Sequence, residues 1–306
     1  MSPAKTSLHD LSVENPGFAV HPFFWTASHL RLVNCRFEQV NDNLLTEASQ
    51  NETLTGYAEK LATRCAPSLK PAYVVWLLVR KGSPLTFVQG NPTFYFDGYR
   101  VRHEKGCDIY RIDNNKLMQQ PEPIIGYYLY DVDSARQKRL SAPRAPCGLN
   151  NEAVERIYER RLSGITPEDW RNDPYLVCLL LSLAQFQWYQ GKTKGQKVFP
   201  AHLLVTKESD KEYAYVFKTD VPDELLKSLH YPSRSFDKFP PVTCTKVSFK
   251  PYATFPERIV LHLIGHQYAS KLGAVTAAQL GGQKRKFDDI EEPSQTARKS
   301  QLCAFI

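Results

Sequence analysis

An α+β fold is what this sequence predicts, and three observations carry it. The apolar pattern between Asp173 and Ser270 changes period several times, and each change is marked by a cap or a turn. A second stretch, Tyr73 to Tyr130, is rich in aromatic and β-branched residues and is broken by short polar turns. The composition, 42% apolar and 12% aromatic over 306 residues, is enough for a sizeable core. The expectation is an antiparallel N-terminal sheet followed by an α-β-β-α-β-α layered unit. Along the chain this gives an irregular N-terminal arm over 1–50, a β-rich region over 51–136, the layered unit over 150–272 and a disordered charged tail over 274–306.

The arm is polar, with isolated aromatic knots such as Pro22-Phe23-Phe24-Trp25 that pack onto the body. Leu54, Tyr57, Ala58 and Leu61 share one stripe of a helix from Glu52 to Cys65, which Pro67 and Pro71 end. Tyr73 to Val79 is a continuous apolar run of β-formers and reads as a strand, turned by Arg80-Lys81-Gly82. Phe94–Phe96 and Tyr99–Val101 flank Asp97-Gly98, a pair that tolerates the positive φ of a type I′ turn and so predicts a hairpin. Ile109–Ile112 and Ile124–Tyr130 complete the first sheet. Gln137 to Cys147 is basic and proline-bearing, the texture of a linker or surface loop.

Next come a helix from Glu152 to Leu162 and a short helical turn opened by Thr166-Pro167-Glu168-Asp169. Asp173 caps and Pro174 starts a helix that is apolar nearly all round to Ala184, which requires a central, buried position. Ala201–Val205 and Tyr213–Phe217 are apolar at consecutive positions, so both faces of that hairpin must be covered. A short helix from Pro222 to His230, a strand from Val242 to Phe249 and a last helix from Glu257 to Leu272 follow. Thr254-Phe255-Pro256-Glu257 has the spacing of a capping box for that last helix.

Composition bounds the chemistry. Seven scattered cysteines without a C-x-x-C pair argue for a reducing compartment and against a disulfide framework or a structural zinc site. Met1 to Asp10 lacks the layout of a signal peptide, and the longest apolar run, Tyr175 to Ala184, is about half a membrane-spanning length. No transmembrane segment is expected. The net charge of +7 mildly favours anionic partners.

No catalytic or cofactor signature of any strength appears. There is no G-x-S-x-G, and Gly191-Lys192-Thr193-Lys194-Gly195 lacks the Walker spacing and reads as a flexible basic loop. His262 and His266 lie four apart on the last helix, the spacing of two metal ligands, but Leu263 replaces the glutamate of H-E-x-x-H and no third ligand is identifiable. No cofactor is expected. Arg100, Arg102, His103, Lys105 and Arg111 are interleaved with Tyr95, Tyr99 and Tyr110, a pattern that binds single-stranded nucleic acid by stacking plus phosphate contact. Lys284-Arg285-Lys286 is a short basic cluster of the kind importins read, and Cys303-Ala304-Phe305-Ile306 loosely fits a prenylation signal.

The order helix, hairpin, helix, strand is similar to the core of restriction-endonuclease-like nucleases. That resemblance implies an acid and a Glu-x-Lys on adjacent strands, holding a divalent metal and a base that activates water. Lys218 stands where the lysine belongs, but the acid position two residues earlier is Val216. Asp210, Glu212 and Asp220 lie nearby without the required phase; Glu212 and Lys218 share a strand face with Ala214 and Val216 between them.

A second resemblance rests on Asp173-Pro174-Tyr175-Leu176-Val177 through Leu183-Ala184-Gln185, then Val198 to Thr206, Tyr213 to Phe217 and Leu225 through Tyr231-Pro232-Ser233. This third of the chain resembles a widespread set of uncharacterised filamentous-fungal proteins with a D-P-[YF] helix and an L-L-V-T strand. No activity is attached to that set, so the resemblance implies core and turn positions and transfers no site residue. The first functional expectation is an intracellular, non-enzymatic interaction protein with a protein partner, in the nucleus or cytoplasm. The second is a divergent or inactivated nuclease-like protein that binds nucleic acid, with Asp210, Glu212, Lys218 and Asp220 as its site. The third is a peripheral membrane protein prenylated on Cys303.

Overall fold

The structure, a computed structural model, describes residues 6–41, 51–63, 66–103, 106–112, 122–140, 151–190 and 195–265. In chain order the elements begin with β1 (Thr6–Ser7), α1 (Leu8–Glu14), α2 (Ala27–Leu32), β2 (Phe37–Val40), α3 (Glu52–Thr63) and α4 (Lys70–Leu78). Then come β3 (Leu85–Val88), β4 (Thr93–Phe96), β5 (Tyr99–Arg102), β6 (Asp108–Ile112), β7 (Ile124–Tyr130), α5 (Val132–Arg139) and α6 (Glu152–Ile165). The rest are α7 (Pro174–Tyr189), β8 (Val198–Lys207), β9 (Tyr213–Pro222), α8 (Asp223–His230), β10 (Ser235–Phe236), β11 (Val242–Ser248) and α9 (Phe255–Ile264).

The fold is mixed α+β, built on one seven-stranded sheet in the order β2-β11-β9-β8-β7-β6-β3. The strands expected in the N-terminal sheet do not form a sheet of their own. β3, β6 and β7 pair antiparallel, and β7 then pairs parallel with β8 from Ile124↔Ala201 to Tyr130↔Lys207. The ladder therefore runs across the expected boundary between 51–136 and 150–272.

Both faces of this sheet are covered. Ala201, Leu203 and Val205 of β8 and Tyr215, Phe217 and Val221 of β9 pack with α7 in one core. Leu204, Ala214, Val216 and Val247 point the other way and are equally buried, under α4 and α9. This is why β8 and β9 carry apolar residues at consecutive positions. Helix α7 is apolar all round because it is enclosed: the sheet lies on one side and the β4–β5 hairpin on the other, so every residue from Pro174 to Gln185 is buried. Gln185 completes the contact like an extra strand, its Oε1 accepting from Tyr95 N at 2.9 Å and its Nε2 donating to Tyr95 O at 2.8 Å.

At the start of α7 lies a buried ion pair. Asp173 accepts from Tyr175 N at 2.9 Å as the N-cap, from Arg136 Nη1 and Nη2 at 2.7 and 2.8 Å, and from Tyr130 OH at 2.8 Å. Arg136 Nε donates to Phe23 O at 2.7 Å, and both charged side chains are fully buried. Three segments distant in sequence, around Phe23, Tyr130–Arg136 and Asp173, meet at this carboxylate and guanidinium.

Gly126 on β7 faces α7, and the space it leaves is already used. A Cβ there would lie 2.7 Å from Leu183 Cδ1 and 2.9 Å from both Cys107 Sγ and Leu203 Cδ1. Gly126→Ala is therefore expected to destabilise by about 1–3 kcal/mol, the usual range for overpacking. A urea midpoint unchanged from the wild type would refute that packing.

Several expectations are corrected. Tyr73 to Val79 is not a strand but the body of α4, begun rather than blocked by Pro71 in its first turn. Val74, Leu77 and Leu78 form its buried stripe while Trp76 is half exposed, a helical period hidden in a run of uniform apolarity. The Asp97-Gly98 hairpin forms with φ of 50° and 74°, yet it stands as a separate two-stranded sheet. The arm is not irregular over its described residues, 6–41. Ser7 and Asp10 form a capping box on α1, β2 is an edge strand parallel to β11, and Leu8, Phe23, Trp25 and Val33 are buried in the α7 core.

Thr166 ends α6 instead of opening a helix, and the short helical turn is Trp170–Asn172, capped by Asp169. The basic stretch after Gln137 begins inside α5, whose Arg136 is buried. The capping box at Thr254 does not form. Thr254 Oγ1 donates to Pro251 O and accepts from Arg258 Nε, while Glu257 pairs with Arg80 at 2.9 Å. Helix α9 ends at Ile264, where Gly265 leaves the helical region with a φ of 82°, and the rest of the expected helix, 266–272, lies outside the described residues.

Candidate functional site

The four residues of the nuclease-like reading are not brought together. Asp210 is spent on its own turn: Oδ1 accepts from Glu212 N and Tyr213 N, each at 3.0 Å, and Oδ2 accepts from Tyr215 OH at 2.8 Å. Lys218 lies six residues along β9 from Glu212, about 20 Å at a strand's rise. It sits on the α9 face opposite His202, with exposed Asp220 two residues further on. Burial holds the Lys218 ammonium below its ordinary pKa, and Asp220 pulls it back up. Asp210 and Glu212 thus stand at the opposite end of β9 from Lys218 and Asp220.

Asp210 and Glu212 do line a cleft of about 520 Å³ with Trp170, Lys207, Ser209 and Lys211. It lies beside the carboxyl ends of the parallel pair β7 and β8, the usual place for a ligand in an open sheet. Lys207, Trp170 and Asp210 are each engaged by neighbouring side chains. The Lys207 ammonium stands 5.2 Å from the Tyr130 ring and 5.6 Å from Trp170, and 3.8 Å from Asp133. Trp170 in turn packs edge-on against Tyr215 at 4.9 Å.

His262 is buried on α9, and His266 lies outside the described residues, as do Lys284, Arg285, Lys286 and Cys303. Among the described residues no group of three or more histidine, cysteine or acidic side chains is arranged to hold a metal ion.

The basic and aromatic residues of 95–111 are divided by the fold. Tyr110 is fully buried in the main sheet, and Lys105 lies outside the described residues. His103 is enclosed beside α7, its Nδ1 2.7 Å from Tyr175 OH and its Nε2 2.8 Å from Ser182 Oγ. The Ser182 hydroxyl donates to Cys178 O at 2.6 Å, so Nε2 donates to Ser182 and Nδ1 accepts from Tyr175, a neutral imidazole. Burial, with a smaller push from His21, lowers the His103 pKa to about 4. Arg111 stands over the Phe186 ring at 5.7 Å and donates to Gln190 at the end of α7. Tyr95, Tyr99 and Arg100 remain together on the hairpin.

Around Tyr95 and Arg100 the fold assembles an aromatic surface, while Tyr99, beside Arg100 on β5, points to the other face of the hairpin. Tyr95 meets Tyr189 of α7 edge-on at 5.0 Å, and Tyr189 OH shares a hydrogen bond with His230 Nδ1 at 3.1 Å. His230 meets Tyr231 edge-on at 4.5 Å, and Arg234 stacks over Tyr231 at 5.3 Å. Tyr231 and Tyr189 are 53% and 44% exposed, well beyond what a tyrosine needs to wet its hydroxyl alone. Arg100 stands across the ladder from Tyr95, on the same face of the hairpin. Partial burial and the neighbouring Tyr95 and Tyr231 raise the Tyr189 pKa, so its hydroxyl stays protonated.

This surface is held on rigid elements. Gln185 fixes the backbone of Tyr95, Asp97 N donates to Leu229 O at 2.9 Å, and Trp188 Nε1 donates to Asp223 Oδ1 at 2.9 Å. The hairpin tip is thereby tied to the last turn of α8. Tyr189, His230, Tyr231 and Arg234 were missing from the sequence reading because they lie about a hundred residues beyond the hairpin. Their signal was the pairing of aromatic residues at two helix ends, Trp188-Tyr189 and His230-Tyr231.

No family model matches this chain, and no curated protein matches it.

Proposed function

We propose that this chain is a non-enzymatic interaction protein whose binding face is the surface formed by Tyr95, Arg100, Tyr189, His230, Tyr231 and Arg234. The observation that carries this reading is the exposure of two tyrosines, Tyr231 at 53% and Tyr189 at 44%, on elements pinned by hydrogen bonds. Tyrosine and arginine are the residues through which interfaces gain most of their affinity, because flat rings bury much area at small entropic cost. The clusters at Asp173, Asp210 and His103, by contrast, spend their polar groups on internal hydrogen bonds.

Among the described residues no helix is long and apolar enough to cross a membrane. We place the protein in the nucleus or cytoplasm, with Lys284-Arg285-Lys286 as the importin-read address.

The test is photo-crosslinking in cells. A benzoylphenylalanine at Arg100 is expected to give a discrete adduct, and one at exposed Glu159 on α6 to give none. The Arg100 adduct should fall at least 5-fold when Tyr189 and Tyr231 are both alanine, the usual effect of truncating two interface anchors. A chain that forms no adduct from position 100, or whose adduct ignores those substitutions, would refute this face.

A further inference from the structure

We infer that this face receives an extended acidic segment of a partner protein, with apolar or proline residues between two carboxylates. The inference rests on the binding-face reading above, and the order of groups along the surface carries it. Tyr95, Tyr189, His230 and Tyr231 follow one another with ring centroids 5.0, 6.1 and 4.5 Å apart. Each ring meets the next at a steep angle, 65°, 71° and 85°, so the series does not close into a self-stacked column. Ring surface is left for a guest, as the exposure of Tyr189 and Tyr231 shows. An extended chain advances about 3.3–3.6 Å per residue, so the series has room for at most about five residues. Proline suits such a surface, because its chain is already extended and packs on aromatic rings at small entropic cost.

A guanidinium stands at each end of the series. β4 is the strand that packs on α7 and α8, so Arg100 on β5, across the ladder from Tyr95, lies on the outer side of the first ring. Arg234 lies over Tyr231, the last ring, at 5.3 Å. Both arginines are exposed, and neither has a carboxylate partner among the described residues. Of the acids nearby, Asp223 is paired with Lys227 and accepts from the Trp188 indole, and Asp97 in the hairpin turn sets a single charge against two. A guanidinium fork holds a carboxylate bidentately, so these two arginines select for acids at both ends of a guest. A second copy of the chain would bring arginine against arginine, and a basic segment would meet the same repulsion. The expected ligand therefore carries two acidic residues about four to six positions apart.

The experiment is peptide display, with a random twelve-residue library selected on the full chain. The enriched sequences are expected to share two acidic residues about four to six positions apart, with apolar or proline residues between them. A synthetic peptide of that consensus, read by fluorescence anisotropy, should bind at least ~3-fold more weakly at 200 than at 50 mM KCl. Tyr231→Ala should weaken it about 5- to 30-fold, the range for one interface anchor, and Tyr231→Phe should keep it within about 2-fold, because the ring makes the contact. Arg100→Glu and Arg234→Glu should each weaken it at least ~10-fold, and replacing one of the two peptide acids by lysine should restore at least ~5-fold of that loss. Such a rescue also shows that each variant is folded. A consensus without acids, or binding indifferent to both charge reversals, would overturn the inference. If the selected peptides are apolar or basic yet still need Tyr189 and Tyr231, the binding face stands and its acidic occupant falls. The same holds if no peptide is enriched while the crosslink from position 100 still forms. If no peptide is enriched and no crosslink forms, both readings fall.

Discussion

Asp173→Ala is expected to destabilise the protein by about 3–5 kcal/mol, the cost of leaving a buried partner charge uncompensated. The Arg136 guanidinium would lose both bonds to the carboxylate in a site with no solvent, and Tyr130 OH would lose its acceptor. Helix α7 would also lose its N-cap, a contribution of about 1 kcal/mol in its own right. The second variant separates the stranded charge from the lost cap. Adding Arg136→Met to Asp173→Ala removes the orphaned guanidinium, so the pair should be more stable than Asp173→Ala alone by at least ~1 kcal/mol. Urea unfolding followed by tryptophan fluorescence reads both. A double variant that is simply the sum of two losses would show that the pair is not the source of the effect.

Lowering the pH from 7 to 5 is expected to remove about 4 kcal/mol of stability, about 2 from each of two buried histidines. Burial, aided by His21, lowers the pKa of His103 to about 4, and burial, aided by the charge of Lys218, lowers that of His202 to about 3. The Leu263 carbonyl, which bonds His202 Nδ1, works weakly the other way. Both folded values lie below the ordinary 6.5. Between 6.5 and the folded value, therefore, the unfolded chain takes up a proton that the fold refuses. Stability is complete above 6.5 and declines as the pH falls toward 4 and then 3. Asp108, whose pKa is raised by burial, acts in the opposite sense and tempers the loss. His103→Gln and His202→Gln should each remove about half of the difference between urea midpoints at pH 7 and pH 5. Equal pH dependence in the wild type and both variants would rule the two histidines out as its source.

Local chemistry was legible where one stretch of chain decides its own conformation. Asp173-Pro174 starts a helix with the cap bond in place, and Asp97-Gly98 makes its turn with two positive φ values. The apolar pairs of β8 and β9 announced a strand buried on both faces, and the structure covers both. Legibility failed where apolarity was uniform, because a run such as Tyr73 to Val79 has the same pattern in a strand and in a buried helix. It failed again where a polar residue had a remote partner. Arg136 carries no local signal of its role but is sealed under Asp173, and Glu257 reads as a cap but pairs with Arg80. Of the candidate site, the hairpin half was visible as Tyr95 and Arg100. The half built from Tyr189, His230, Tyr231 and Arg234 was not, since nothing in either segment says that the other is near.

What the sequence by itself determined is the set of parts: the enclosed helix, the two-faced hairpin, the type I′ turn and the mixed α+β class. Each follows from side chains within a few residues of one another, through periodicity, capping and allowed φ. Only the tertiary structure decided that β7 lies parallel to β8 and joins the two regions in one sheet. Only it decided that Asp210 and Lys218 stay apart, and that two helix ends and a hairpin tip share a surface. Those outcomes depend on which distant faces bury each other best, and that is a property of the packed whole.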